Sequence, residues 1–194
     1  MIILCHLLLL VFFVSRIVLF FFLKAILDHF GANVASGEVY WNQRYWVNET
    51  FWCGEGCPVF VYIGGEGPQG PVSSHEFMHT LAQTHGALMV ALEHRFYGES
   101  LPVANMSTSN LRYLTSEQAL ADLARFRNYL ALSTTAFTPT GDRDSTPALH
   151  LKASARTSKF VTFGGSYPGS LSAWFKTKYP SLAVISAACC RPRL

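Results

Sequence analysis

The sequence predicts an α/β fold: a parallel sheet covered by helices on both faces. Three observations carry this. Short apolar, β-prone runs, Pro58 to Ile63 (PVFVYI), Ala87 to Leu92 (ALMVAL) and Lys159 to Phe163, alternate with segments of helical period. Two of these runs stop abruptly in glycine clusters, Gly64-Gly65-Glu66-Gly67-Pro68 and Gly164-Gly165-Ser166-Tyr167-Pro168-Gly169. The second cluster leads directly into a helical pattern with Leu171, Trp174 and Phe175 on one face.

In chain order, residues Leu7 to Leu23 form an apolar run broken only by Ser15-Arg16. Its length fits a secretory leader or a membrane anchor, and an arginine at mid-span costs about 2.5–3.5 kcal/mol, which the surrounding Leu and Phe offset. Residues 1–27 are therefore expected to direct the chain to the secretory pathway or a membrane. Asn48-Glu49-Thr50 and Asn105-Met106-Ser107 are glycosylation sequons that agree with this route. Five cysteines are present; Cys53 and Cys57 flank Gly54-Glu55-Gly56, as a small disulfide loop or as free thiols in a turn. The net charge of +3 is not clustered, so nucleic-acid binding has no support.

Glu38 to Val47 is aromatic and β-prone, and Pro58 to Ile63 is a buried-strand pattern. A helix is expected over Ser73 to His85, with Phe77, Met78, Leu81 and Ala82 on its apolar face. A strand over Ala87 to Leu92 follows, then a helix capped by Thr115 or Ser116 that carries Ala119, Leu120, Leu123, Phe126 and Leu130 at helical spacing. Ser133 to Ser158 is polar, rich in Pro and Thr, and reads as a surface loop. The last strand is expected over Leu182 to Ser186.

The second glycine cluster has the pattern of a nucleophile elbow, where a strained serine between strand and helix presents its oxygen and the next N–H helps bind an oxyanion. This makes Ser166 the candidate nucleophile and Tyr167 a candidate oxyanion donor, with a second donor at Gly65 or Glu66; the alternative is two ordinary glycine turns. Pro168 stands where G-x-S-x-G has its last glycine, which comes one residue later at Gly169. A different chemistry is spelled by His75-Glu76-Phe77-Met78-His79, an H-E-x-x-H zinc pattern. His85 falls at the third-ligand spacing of one metalloprotease group, but Ala82 replaces the glycine that would swing it round, leaving it about 120° from His79 on a continuing helix. Glu93-His94-Arg95 reads as a structural polar network, with His94 as an upstream base for Ser166 the other reading.

Five ordered blocks, Leu27-Asp28-His29-Phe30, Gln43-Arg44-Tyr45, Tyr62 to Pro68, Glu93 to Ser100 and Phe163 to Gly169, resemble the serine peptidase family of lysosomal Pro-X carboxypeptidase and dipeptidyl peptidase II. The wording around Ser166 is most similar to the thymus-specific branch. The resemblance implies an α/β-hydrolase fold with a later helical cap, peptide substrates cut near proline, Ser166 as nucleophile and no cofactor. It also marks departures. The loop from about Ala136 to Ser158 exceeds the family's usual connection, and Ala187-Ala188-Cys189-Cys190 stands in place of a Ser-Ala-Pro-like segment. Residues 28–187 are thus expected to be part of the peptidase domain and 188–194 a divergent tail. Residues 167–194 contain no Asp, Glu or His, so the activating pair of a serine triad, which follows the serine in this fold, is absent from this stretch. The sequence is read as an N-terminal portion, inactive on its own, with a zinc peptidase or a non-catalytic product as alternatives.

Overall fold

The computed structural model describes residues 19–31, 39–132 and 151–189. They build one six-stranded sheet in the order β1-β2-β4-β3-β5-β6. The strands are β1 (Leu19–Ile26), β2 (Tyr40–Asn48), β3 (Val59–Ile63), β4 (Leu88–Leu92), β5 (Phe160–Gly165) and β6 (Ile185–Cys189); the helices are α1 (Phe77–His85), α2 (Ser116–Leu132) and α3 (Tyr167–Lys178).

Period-two patterning decides which face each side chain takes. On β3, Val59, Val61 and Ile63 join Leu88, Val90 and Leu92 of β4 under α2 and α3. Phe60 and Met89 point the other way, with Phe163, onto Met78 and Ala82 of α1. α2 and α3 close the first of these faces with matching stripes, Leu120, Leu123, Phe126 and Leu130 from α2 and Leu171 and Phe175 from α3. A buried hydroxyl pair also ties α3 to its own strand, Thr162 Oγ1 lying 2.8 Å from Ser172 Oγ, which donates to Thr162 O at 3.2 Å.

The sheet is mixed rather than parallel throughout. β3, β4, β5 and β6 are mutually parallel, whereas β2 runs antiparallel to β4 and β1 antiparallel to β2. The expected boundary between residues 27 and 28 does not divide the fold, because β1 lies before it and belongs to the sheet. The end of the apolar run is this strand: Leu23 and Ala25 are buried while Phe20 and Phe22 remain exposed. A strand needs only alternate residues to be apolar, so a continuous run satisfies it equally well. The rest of the run lies outside the described residues. Among the described residues no helix is long and apolar enough to cross a membrane.

Further expectations are corrected. β6 starts later than Leu182 because Lys176 Nζ reaches Pro180 O and Ala183 O, at 2.8 and 2.7 Å, and Leu182 N–H bonds Tyr179 O, holding these residues in a turn. Consequently Ala188 and Cys189 pair with Gly164 and Gly165 instead of beginning a separate tail. The end of the expected surface loop is docked, with Leu151 and Ala155 in the main core; residues 133–150 lie outside the described residues. Finally, α1 starts at Phe77, not Ser73, and Phe77 is 72% exposed rather than part of the apolar face.

Candidate active site

β3 and β5 are adjacent and parallel, with Tyr62 level with Phe163. Continuing that register brings the Gly64-Gly65 turn level with Gly165-Ser166, at the carboxyl end of the sheet. Ser166 there has φ 58° and ψ −129°, a conformation that costs a non-glycine residue on the order of 1–3 kcal/mol. It is exposed, and its side chain makes no cap to α3. A serine held in strain and presented to solvent at a strand-to-helix turn is the geometry of an elbow nucleophile.

The turn is this tight because two glycines permit it. A Cβ on Gly164 would run into the carbonyl of Pro168 and come within 2.8 Å of Gly169 N; one on Gly65 would lie 2.7 Å from Pro168 Cγ. The glycine turn after β3 therefore packs on the first turn of α3. Gly64 N–H is committed to Leu92 O at 2.8 Å, so Gly65 and Glu66 carry the next main-chain N–H groups of that turn. Tyr167 is the first residue of α3, where an N–H has no partner within the helix. Ser166, Tyr167 and the Gly65-Glu66 turn thus meet at one sheet end.

The Glu93 to Ser100 block forms the adjoining wall. Glu93 is fully buried and its carboxylate accepts from Arg44 Nη2 (2.6 Å), Ser100 Oγ (2.7 Å), Gln69 N (3.0 Å) and Glu99 N (3.0 Å). Gly98, at φ 57°, leaves room for it: a Cβ there would lie 2.6 Å from Glu93 Cδ. Arg95 is equally buried. It pairs with Asp122 and donates to Leu27 O (3.2 Å), Tyr113 O (2.9 Å) and Ile26 O (3.1 Å). Between them, His94 Nδ1 lies 2.7 Å from Arg95 O and Nε2 lies 3.2 Å from the Tyr167 hydroxyl. Burial pushes the His94 pKa below its ordinary value. Burial, reinforced by the charges of Glu66 and Tyr97, raises that of Tyr167.

The Leu27 to Phe30 block serves the same frame. His29 N–H donates to Gln118 Oε1 (3.0 Å), His29 Nε2 meets Asp122 Oδ1 (2.8 Å), and Gln118 Nε2 donates to Asp28 Oδ1 (2.6 Å). Sequence reasoning had no signal for Gln118 or Asp122, which sit inside a helical pattern, and it missed the Tyr167 hydroxyl as the partner of His94.

The zinc pattern does not assemble. His75 lies in a turn closed by the Glu76 N–H to Ser73 O bond (3.0 Å), ahead of α1, whereas His79 is within the helix with its ring edge-on to Phe51 at 5.0 Å. The two histidines therefore do not share one helical face, and among the described residues no group of His, Cys, Asp and Glu is gathered to hold a metal ion. Cys53 and Cys57 are joined in a disulfide with a Cα–Cα distance of 5.9 Å. Both sequon asparagines bend back in Asx turns: Asn48 Oδ1 accepts from Thr50 N at 2.9 Å and Asn105 Oδ1 from Ser107 N at 3.1 Å.

The family model described as serine carboxypeptidase S28 matches residues 25–140 and 146–192. The chain belongs to that family. Human thymus-specific serine protease is 40% identical over 171 residues, covering 88% of this chain and 29% of that protein. Human lysosomal Pro-X carboxypeptidase is 36% identical over 169 residues, covering 85% of this chain and 30% of that protein. The chain thus spans under a third of the length of these relatives. Among solved structures, oligopeptidase B from Leishmania major superposes with a TM-score of 0.52 at 13% identity, covering 89% of this chain and 20% of that one. A prolyl endopeptidase structure gives 0.52 at 14% identity, covering 90% and 21%. At such identities these two speak for the α/β-hydrolase fold only.

Proposed function

We propose that this chain carries the nucleophile and the oxyanion hole of a serine peptidase that removes residues from peptides next to proline. The observation that carries the reading is Ser166, exposed and strained at φ 58° between β5 and α3. Its Oγ attacks the scissile carbonyl, the N–H of Tyr167 and that of Gly65 or Glu66 receive the developing oxyanion, and an acyl-enzyme forms. The proton from Oγ passes to a histidine oriented by a carboxylate, both supplied by the rest of the full-length protein. The preference for proline follows the name of the Pro-X carboxypeptidase relative.

The same relative's lysosomal name supports a secretory-pathway location. So do the Cys53–Cys57 disulfide, suited to an oxidising compartment, and the two sequons with their asparagines on turns. In this reading the part of the apolar run that precedes β1 serves as leader or anchor, and sugar sits on Asn48 or Asn105.

The test is a fluorophosphonate probe and proline-containing peptides applied to the full-length protein, compared with Ser166→Ala. Labelling and turnover that disappear in the variant are expected; labelling that persists in Ser166→Ala would assign the activity elsewhere.

A further inference from the structure

His94 is 5% exposed, and the residues on either side of it are hydrogen-bonded in place. On one side of it Glu93 is held by four donors, and on the other Arg95 is held by Asp122 and three carbonyls. The tautomer follows from the partners. Arg95 O, 2.7 Å from Nδ1, is an acceptor only, so Nδ1 carries the hydrogen. Nε2 is then bare, and the Tyr167 hydroxyl, 3.2 Å away, donates to it. The two rings lie 5.6 Å apart at 59°, and the Tyr97 ring packs edge-on at 5.4 Å.

This bond links the ends of two strands that are not neighbours. His94 follows β4, Tyr167 opens the helix after β5, and β3 lies between those strands. The Gly64-Gly65 turn lies between these two ends: a Cβ on Gly64 would lie 3.0 Å from His94 N, and one on Gly65 2.7 Å from Pro168 Cγ. The hydroxyl of Tyr167 is thus tied to the strand end on the far side of the turn that would carry the second oxyanion donor.

We infer that His94 is a positioning residue for the oxyanion hole, which by accepting the Tyr167 hydroxyl fixes the side chain and hence the main-chain N–H of the residue after the nucleophile. The inference rests on the serine peptidase reading above. It assigns His94 no proton transfer with Ser166, since its one free lone pair is occupied by Tyr167. Loss of an oxyanion donor outright lowers kcat by about 10²–10³, so loosening one through loss of its anchor should lower kcat by about tenfold.

The experiment uses the full-length protein and Tyr167→Phe, which keeps the ring and the main-chain N–H and removes only the hydroxyl. We expect kcat to fall by about tenfold with KM changed less than about twofold, the signature of an interaction made in the transition state. His94→Gln, whose amide oxygen can accept the same hydroxyl, should retain more activity than His94→Leu. In 15N spectra of the His94 ring, Nδ1 should be protonated and Nε2 bare, with the Nε2 resonance shifting in Tyr167→Phe. An unchanged kcat in Tyr167→Phe, or an Nε2-protonated ring, overturns the inference while leaving Ser166 as nucleophile. A wild-type protein that does not label at Ser166 overturns the peptidase reading, and the positioning role with it.

Discussion

Arg95 and Asp122 meet through two hydrogen bonds, Nε to Oδ2 at 2.7 Å and Nη2 to Oδ1 at 2.8 Å, with neither side chain more than 1% exposed. The pair joins the residue after His94 to α2, and Asp122 extends it to His29. Removing one partner strands the other charge out of water. Asp122→Ala should therefore destabilise the fold by about 3–5 kcal/mol, read as a lowered midpoint in urea. A loss below about 1 kcal/mol, the worth of an exposed pair, would show that the network is not closed in solution.

The glycines differ sharply in what they tolerate. Gly164→Ala drives a methyl into the Pro168 carbonyl and Gly169 N, main-chain atoms that cannot swing aside, so the elbow should not form and soluble yield should fall. Gly67 has nothing within 4 Å of a built Cβ. Gly67→Ala should change stability by less than about 0.5 kcal/mol, as at most open surface sites. Equal melting temperatures for the two variants would contradict this geometry.

The buried His94 should make stability fall in acid. Its folded pKa lies below the ordinary 6.5, chiefly through burial; the Arg95 carbonyl, Asp122 and Glu66 act the other way, the Arg95 charge adds a smaller lowering, and Tyr97 and Tyr167 are its other titratable neighbours. The unfolded chain therefore takes up the proton first as pH drops. The stabilisation is complete above about pH 6.5 and is lost as pH falls through the folded pKa. Melting curves from pH 7.5 to 4 should show a steeper loss for the wild type than for His94→Gln; parallel curves would argue against it.

Residues 167–194 hold no Asp, Glu or His. A protein of these 194 residues should then leave peptide substrates intact, since loss of triad members costs on the order of 10⁴–10⁶ in rate and the losses are not additive. Turnover abolished by Ser166→Ala in this short form would mean that an upstream residue activates the serine.

Asn105 is exposed and Asn48 half-buried at the end of β2. Protein secreted from eukaryotic cells should therefore lose gel mobility shift mainly in Asn105→Gln when treated with a glycosidase specific for N-linked sugar. No shift in the wild type would remove support for the secretory route.

The elbow was legible because its requirements are local. A strand, two small residues, a serine and a proline-bearing helix start depend on neighbours a few positions apart, and Ser166 takes its φ of 58° from that short stretch. The same holds for β3, β4 and α2, whose apolar periods match the buried faces. Local pattern was insufficient wherever one signal serves two structures. The apolar run Leu7 to Leu23 reads as leader or anchor, and pairing with Tyr40–Asn48 makes its end a strand. His75 and His79 have zinc spacing only if a helix covers both, and the turn at Ser73 starts α1 too late. His94, Tyr167 and the Gln118–Asp122 turn of α2 lie far apart along the chain, and their roles arise only when the order β4-β3-β5 brings β4's end beside the elbow and α2 packs by β1. A buried polar group must find its partner in space, and sequence spacing carries no record of that distance.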